Sequence, residues 1–295
     1  MSSRSVSYVV CVGAAKAGTT TLYEMMSRHP GVAVSKVKET GFYSNSHFDG
    51  SRFDEYIASY FHRTPATEVL FEADPGYMYV NGCVERLRAS APDARLVVML
   101  RNPVDRAFSQ YKYRMAYQRY DESFEEMCQR EADRIGKGDA QRLEYGCLDR
   151  SRYAPQIAEI LRHFPREQIF FLLFERFIKD QRGEFAALQR WLGIREIDVE
   201  QVRANIGGPP RSVFIAKFLY HPKFKRLRRA FGRLLPAHAR WRISGFLGRL
   251  NLRDAPAVKP TLDPNFRRCL LDKFSEDIVM VEKMTGLDLT LWRSA

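Results

Sequence analysis

Residues 8–26 read YVVCVGAAKAGTTTLYEMM. The opening run is continuously apolar and stops at Gly13, the pattern of a strand buried on both faces. From Thr19 the apolar residues Leu22, Met25 and Met26 fall on one side of a helix. Strand, tight turn and helix therefore follow one another. The backbone N–H groups of such a turn, with those of the helix start, make a cradle for an anion. Lys16 adds a positive charge to it, and Thr19, Thr20 and Thr21 can cap the helix or donate to an oxyanion. The order departs from the phosphate loop G-x-x-x-x-G-K-[ST], because Lys16 precedes Gly18 and Thr19 follows Gly18 directly.

Moving outward, the same alternation continues. Short apolar runs predict strands at 31–34, 69–73, 95–101 and 168–174. Helical spacing predicts helices over 19–28, 53–61, 80–90, 104–117, 121–134, 154–164 and 184–192, the last ended by Gly193. Residues 136–141, GKGDAQ, read as a loop, and 264–284 as one long amphipathic helix. Alternating strands and helices imply an α/β chain with a central parallel sheet flanked by helices in three layers. Ligands bind such sheets beyond the carboxyl ends of the strands.

A second motif follows one of those ends: RLVVMLRNPVDRAFSQYKYRM, residues 95–115. Pro103 suits the first position of a helix, where a missing N–H costs nothing. Magnesium-dependent phosphate-loop enzymes usually end a neighbouring strand with a metal-holding Asp. Here the strand ends in Arg101, so fixed cations would neutralise the phosphate. Ser109, eight residues on, can share a phosphate with Arg101. The competing reading is a P-loop-type nucleotide or small-molecule kinase, which requires magnesium and a carboxylate to hold it.

Together the two motifs resemble the paired phosphosulfate-binding and 3′-phosphate-binding signatures of sulfotransferases that use 3′-phosphoadenosine 5′-phosphosulfate (PAPS). The likeness is nearest to the branch with heparan sulfate sulfotransferase domains and bacterial carbohydrate and small-molecule sulfotransferases. KETGFYS at 38–44 is similar to that family's Lys-Glu-x-x-Phe-Phe segment, and EADPGYM at 72–78 to its Glu-x-x-Pro-x-Tyr segment. Ala73 stands where related members often carry a Lys. The resemblance implies a P-loop-like fold and a single sulfotransferase domain over 1–295, with a basic helical insertion or lid at about 207–255. It implies that Lys16, Ala17, Gly18, Thr19, Thr20 and Thr21 hold the 5′-phosphosulfate, and that Arg101 and Ser109 hold the 3′-phosphate. Glu39 is then the base that takes the acceptor proton. Lys16 stabilises the bridging oxygen, and Lys38 assists. Tyr153 is a candidate to pack near the adenine, against a plain half-buried helix aromatic. Lys259 is a candidate to reach the 3′-phosphate, against a solvated loop lysine. The product would be 3′-phosphoadenosine 5′-phosphate, and no metal is expected.

With 45% hydrophobic and 28% charged residues, the chain of 295 can bury a large core, which excludes disordered, collagen-like and disulfide-scaffold classes. No apolar run nears the roughly 18 residues of a membrane span, and a buried first strand explains the apolar start better than a secretory signal. Five widely spaced cysteines with no CxxC pair fit small buried apolar residues in a reducing, cytoplasmic setting. Net charge is +12, and residues 211–253 hold 12 Lys and Arg with no Asp or Glu, equal to that whole excess. Three readings fit this stretch: a solvated lid, a recruiter of an anionic acceptor, or an amphipathic segment on an anionic membrane surface, which would make the protein peripheral to the membrane. No readout motif accompanies the charge, so nucleic acid is not expected. The sequence does not choose among a glycan hydroxyl, a glycolipid, a phenol and a secondary metabolite as the acceptor.

Overall fold

The computed structural model describes residues 6–116, 122–202 and 261–293. Five strands make one parallel sheet: β1 (Ser7–Gly13), β2 (Val32–Val34), β3 (Val69–Ala73), β4 (Arg95–Leu100) and β5 (Ile169–Leu173). Their order is β2-β3-β1-β4-β5. Apolar runs form these strands because both faces of the sheet are covered. Every side chain of β4 from Leu96 to Leu100 is withdrawn from water, each contributing about 1.5–3 kcal/mol. From β1 the chain moves outward to β2, returns to β3, then crosses to β4 and β5. The direction of travel reverses between β1 and β4, the place where sheets of this kind take their ligands. Pairing of β1 with β4 shifts register between Cys11 and Gly13, where β1 runs into its turn.

The helices are α1 (Thr19–Ser27), α2 (Phe53–Tyr60), α3 (Cys83–Ser90), α4 (Pro103–Ala116), α5 (Phe124–Ile135), α6 (Asp139–Tyr145), α7 (Tyr153–His163), α8 (Phe174–Lys179), α9 (Gln181–Leu192) and a long helix, Pro264–Thr285. The flanked parallel sheet is the three-layer α/β arrangement the sequence predicts. Pro103 opens α4 as expected, and Asn102 Oδ1 accepts from the N–H groups of Val104 (3.0 Å) and Asp105 (3.2 Å). Gly193 ends α9 in the left-handed region. Two elements differ from expectation. α6 occupies part of the stretch read as a loop, and Phe174 starts α8 instead of ending a strand. Cys11, Cys83 and Cys147 are buried, Cys128 is half-buried and Cys269 is exposed, against the expectation of burial for each. Among the described residues no helix is long and apolar enough to cross a membrane.

The chain divides into two compact units. The first (Met1–Arg106, Leu148–Asn205 and Arg268–Ala295) contains the sheet and the turns at its strand ends. The second (Ala107–Cys147 and Ile206–Arg267) contains most of α4 with α5 and α6. In the second, Phe124 meets the rings of Phe108 (5.1 Å) and Tyr111 (5.2 Å). Residues 207–255, the expected lid, lie outside the described residues.

Candidate active site

The turn leaving β1 is tied to the neighbouring strand. Ala14 N–H donates to Met99 O of β4 (2.6 Å), and Ala17 N–H donates to Ala14 O (3.2 Å). Gly18 occupies the N-cap of α1 at φ 92, with no side chain capping the helix and no acidic residue in its first turn. Only glycine suits this place: a Cβ would lie 3.0 Å from the Phe174 ring and 3.3 Å from Met99 Cε. The first N–H groups of α1, on Thr19, Thr20 and Thr21, have no partner inside the helix and stand at the positive end of its dipole. Thr19 and Ala17 are buried, while Thr20 and Thr21 are half-buried.

Arg101, the first residue past β4, reaches the turn that leaves β1. Its Nη1 donates to Lys16 O (3.1 Å), and its guanidinium lies 4.3 Å from the centroid of the Phe174 ring. Tyr153 is fully buried, and its hydroxyl donates to Arg101 O (2.9 Å). Its ring sits beside Trp292, so it braces the Arg101 backbone from inside the core. Arg106 is also fully buried. It donates from Nε to Ser151 Oγ (2.6 Å) and from Nη1 to Ala15 O (3.4 Å), holding the same turn from below.

A third segment, 38–42, follows β2. Glu39 N–H donates to Ala73 O (3.1 Å) at the end of β3. Gly41 N–H donates to Asp74 Oδ2 (2.9 Å). Lys38 Nζ donates to Glu39 Oε1 (2.6 Å), with the Lys38 side chain 17% exposed and that of Glu39 58%. Among the described residues, Lys16 (φ 72) and Glu39 (φ 62) are the two non-glycine residues in the left-handed region. Such backbone persists where its surroundings hold it, and it concentrates at functional sites.

The charges in the first unit are unbalanced. Burial, with Lys38, Arg106 and Arg101 adding to it and Glu39 opposing it, draws Lys16 down to about 8. Burial also lowers Arg101. Burial raises Asp74, and the nearby Glu39 adds to that, while the N–H groups of Gly76 and Gly41 work against it. A site whose cations depress one another, beside an uncapped helix start, is relieved by a multiply charged anion. The residues present therefore fit a phosphosulfate.

In the first unit Lys16, Ala17, Gly18, Thr19, Thr20 and Thr21 share the turn and helix start after β1, Arg101 is bonded to the Lys16 carbonyl, and Lys38 lies beside Glu39. Ser109 is half-buried on α4 and falls in the second unit. Lys259 lies outside the described residues, as does the basic stretch 211–253. Sequence reading missed Arg106, Asp74 and Phe174. The run NPVDR contained the first signal, an arginine one turn into a helix that starts at the sheet's carboxyl edge.

The profile described as the sulfotransferase domain matches residues 7–206. The human heparan sulfate glucosamine 3-O-sulfotransferase 3B1 is 28% identical over 200 residues, covering 66% of this chain and 48% of that protein. The human heparan sulfate glucosamine 3-O-sulfotransferase 6 is 28% identical over 228 residues, covering 72% of this chain and 63% of that protein. The chain thus spans about half the length of the curated relatives it matches. A solved sulfotransferase from Alicyclobacillus acidocaldarius shares the fold. Its TM-score is 0.69 at 24% identity, over 98% of this chain and 100% of that one.

Proposed function

The chain belongs to the sulfotransferase domain family, and on that premise we propose that it moves a sulfuryl group from PAPS to a hydroxyl or amine of a carbohydrate-type acceptor. The observation that carries this reading is the pairing of two features suited to anions at the carboxyl edge of the sheet. They are the uncapped start of α1 with Lys16, and Arg101 bonded to the Lys16 carbonyl. The heparan sulfate names of the relatives favour a glycan among the acceptor classes.

PAPS supplies the activated sulfuryl group when bound. The N–H groups of Thr19, Thr20 and Thr21 and the ammonium of Lys16 hold its 5′ end, and Arg101 holds the 3′-phosphate. Transfer is an in-line displacement in which positioning and electrostatics do most of the catalytic work, as in phosphoryl transfer. The exposed carboxylate of Glu39 takes the proton of the acceptor as the new O–S bond forms. Lys16 stabilises the charge that gathers on the departing phosphate oxygen as the old S–O bond breaks. Lys38 keeps the Glu39 carboxylate oriented through their 2.6 Å contact.

The test is transfer of radiolabelled sulfate from PAPS to desulfated heparan oligosaccharides, with p-nitrophenol as a second acceptor. Glu39→Gln should lower turnover by about 10²-fold or more and leave affinity for 3′-phosphoadenosine 5′-phosphate within about twofold. Near-normal turnover in that variant would remove Glu39 from the role of base.

A further inference from the structure

A carboxylate is buried in the middle of the sheet where the chemistry just described does not use it. Glu72 lies on β3 beside Val10 of β1, with no exposed surface. Tyr56 of α2 donates to its Oε2. Its Oε1 meets no donor in hydrogen-bond geometry, although the Tyr8 and Tyr77 hydroxyls lie near enough to oppose the effect of burial on the carboxyl. Among the described residues no Lys or Arg pairs with it. A buried carboxylate without a cation, and with one oxygen unsatisfied, costs several kcal/mol by order of magnitude. It therefore does not serve stability, and its connections show where it acts.

Those connections lead to the segment that holds Glu39. The Tyr56 hydroxyl that bonds Glu72 is also 3.1 Å from Thr40 Oγ1. Thr40 Oγ1 is 2.9 Å from the Tyr77 hydroxyl and accepts from Phe42 N–H (3.4 Å). Thr40 directly follows Glu39 in the chain. The two residues after Glu72 on the same strand end complete the attachment, Ala73 through Glu39 N–H and Asp74 through Gly41 N–H. Three consecutive residues, 72–74, thus fix three consecutive residues, 39–41, and the middle contact holds Glu39 in its left-handed backbone.

We propose that Glu72 is a positioning residue for the acceptor-side loop, acting through Tyr56 and Thr40 to hold Glu39 in its working place; this rests on the reading of Glu39 as the base. The hydroxyl of Tyr56 has one proton to give. When Glu72 is ionised, that proton goes to Oε2, and Thr40 must donate to Tyr56. When Glu72 is protonated, it can donate to Tyr56, whose proton then turns to Thr40. The direction of the chain, and with it the orientation of Thr40, follows the charge on Glu72. The titratable groups facing it are Tyr8 from β1, Tyr43 from the loop after Glu39, Tyr56 from α2, Tyr77 from the turn after β3, and Asp74 just past the end of its own strand. Burial, the largest influence, raises Glu72 to about 7, so the two states exchange near neutral pH.

The test compares Tyr56→Phe, Glu72→Leu, Glu72→Gln and Glu39→Gln, each first shown to bind 3′-phosphoadenosine 5′-phosphate normally. Turnover of PAPS with desulfated heparan oligosaccharide is followed from pH 5.5 to 9, with hydrogen exchange of segment 38–42. Tyr56→Phe and Glu72→Leu should lower kcat about 10- to 100-fold, leave affinity for the adenosine bisphosphate within about twofold, and speed exchange in 38–42 but not in 16–22. Glu72→Gln, which can still accept from Tyr56, should restore most of kcat and lose the ionisation near pH 7. Tyr56→Phe removes a hydroxyl alone, and it remains decisive if Glu72→Leu does not fold. Full kcat, unchanged exchange and an unchanged pH profile in Tyr56→Phe and Glu72→Gln, with Glu39→Gln inactive, would overturn the positioning role and leave the base intact. Full activity in Glu39→Gln would overturn both.

Discussion

Lys16 should take up a proton when the donor binds, and the size of that uptake follows from its surroundings. Burial and three neighbouring cations hold it down at about 8. At pH 8 the ammonium is then about half deprotonated, at pH 6 about 1% and at pH 9 about 90%. A bound phosphosulfate or bisphosphate replaces lost hydration with negative charge and returns the lysine to its ordinary range or above. Binding of 3′-phosphoadenosine 5′-phosphate should therefore take up about 0.5 proton at pH 8 and almost none at pH 6. The ligand's own phosphates, with second pKa values near 6, are ionised at pH 8 and contribute little. Affinity should fall by about tenfold between its low-pH plateau and pH 9, about 1.4 kcal/mol. The assay is titration calorimetry at pH 8 in buffers of different ionisation enthalpy, because the slope of heat against that enthalpy counts protons. Lys16→Ala should bind more weakly with no uptake. Uptake below about 0.1 proton in the unaltered protein, or equal uptake in Lys16→Ala, would refute the placement of this lysine against the phosphate.

Arg101→Ala should weaken PAPS and its desulfated product equally, by about 10- to 100-fold, because the 3′-phosphate is common to both; competition binding with the two ligands checks this. Gly18→Ala should cost about 1–3 kcal/mol in urea unfolding, since its Cβ meets the Phe174 ring and its φ is left-handed, and donor affinity should fall with it. Glu72 gives a stability signature of its own. Its folded pKa, about 7, lies above the ordinary glutamate value of 4.5. The native state therefore holds the extra proton between those values, and stability falls as pH rises through that window. Relative to Glu72→Gln, the unaltered protein should lose about 3 kcal/mol between pH 4.5 and pH 8, measured by denaturant unfolding at both.

The sheet was legible because its strands are short, mostly apolar runs, with β1 closed by Gly13, β3 by Asp74 and β4 by Arg101, and burial on both faces demands that pattern. The anion cradle was legible for the same local reason: Gly13, Lys16, Gly18 and the three threonines sit within nine residues. What escaped depends on contacts distant in sequence. α6 buries no residue, so it has no apolar period to read, and Gly136 and Gly138 pointed to a loop. α8 starts on Phe174, whose apolar character extends the strand on paper although its ring lies under Arg101. Arg106 reads as an ordinary helix cation, and its burial depends on Ser151, 45 positions away. The left-handed backbones of Lys16 and Glu39 have no composition signal, since glycine is the only residue that advertises that region. The tyrosines around Glu72 come from four separate segments, and no spacing in the sequence gathers them.

The most direct test is a crystal structure with 3′-phosphoadenosine 5′-phosphate bound. The account predicts the 5′-phosphate on the N–H groups of Thr19, Thr20 and Thr21 beside Lys16, and the 3′-phosphate on Arg101. A bisphosphate seated away from the turn between β1 and α1 would contradict it.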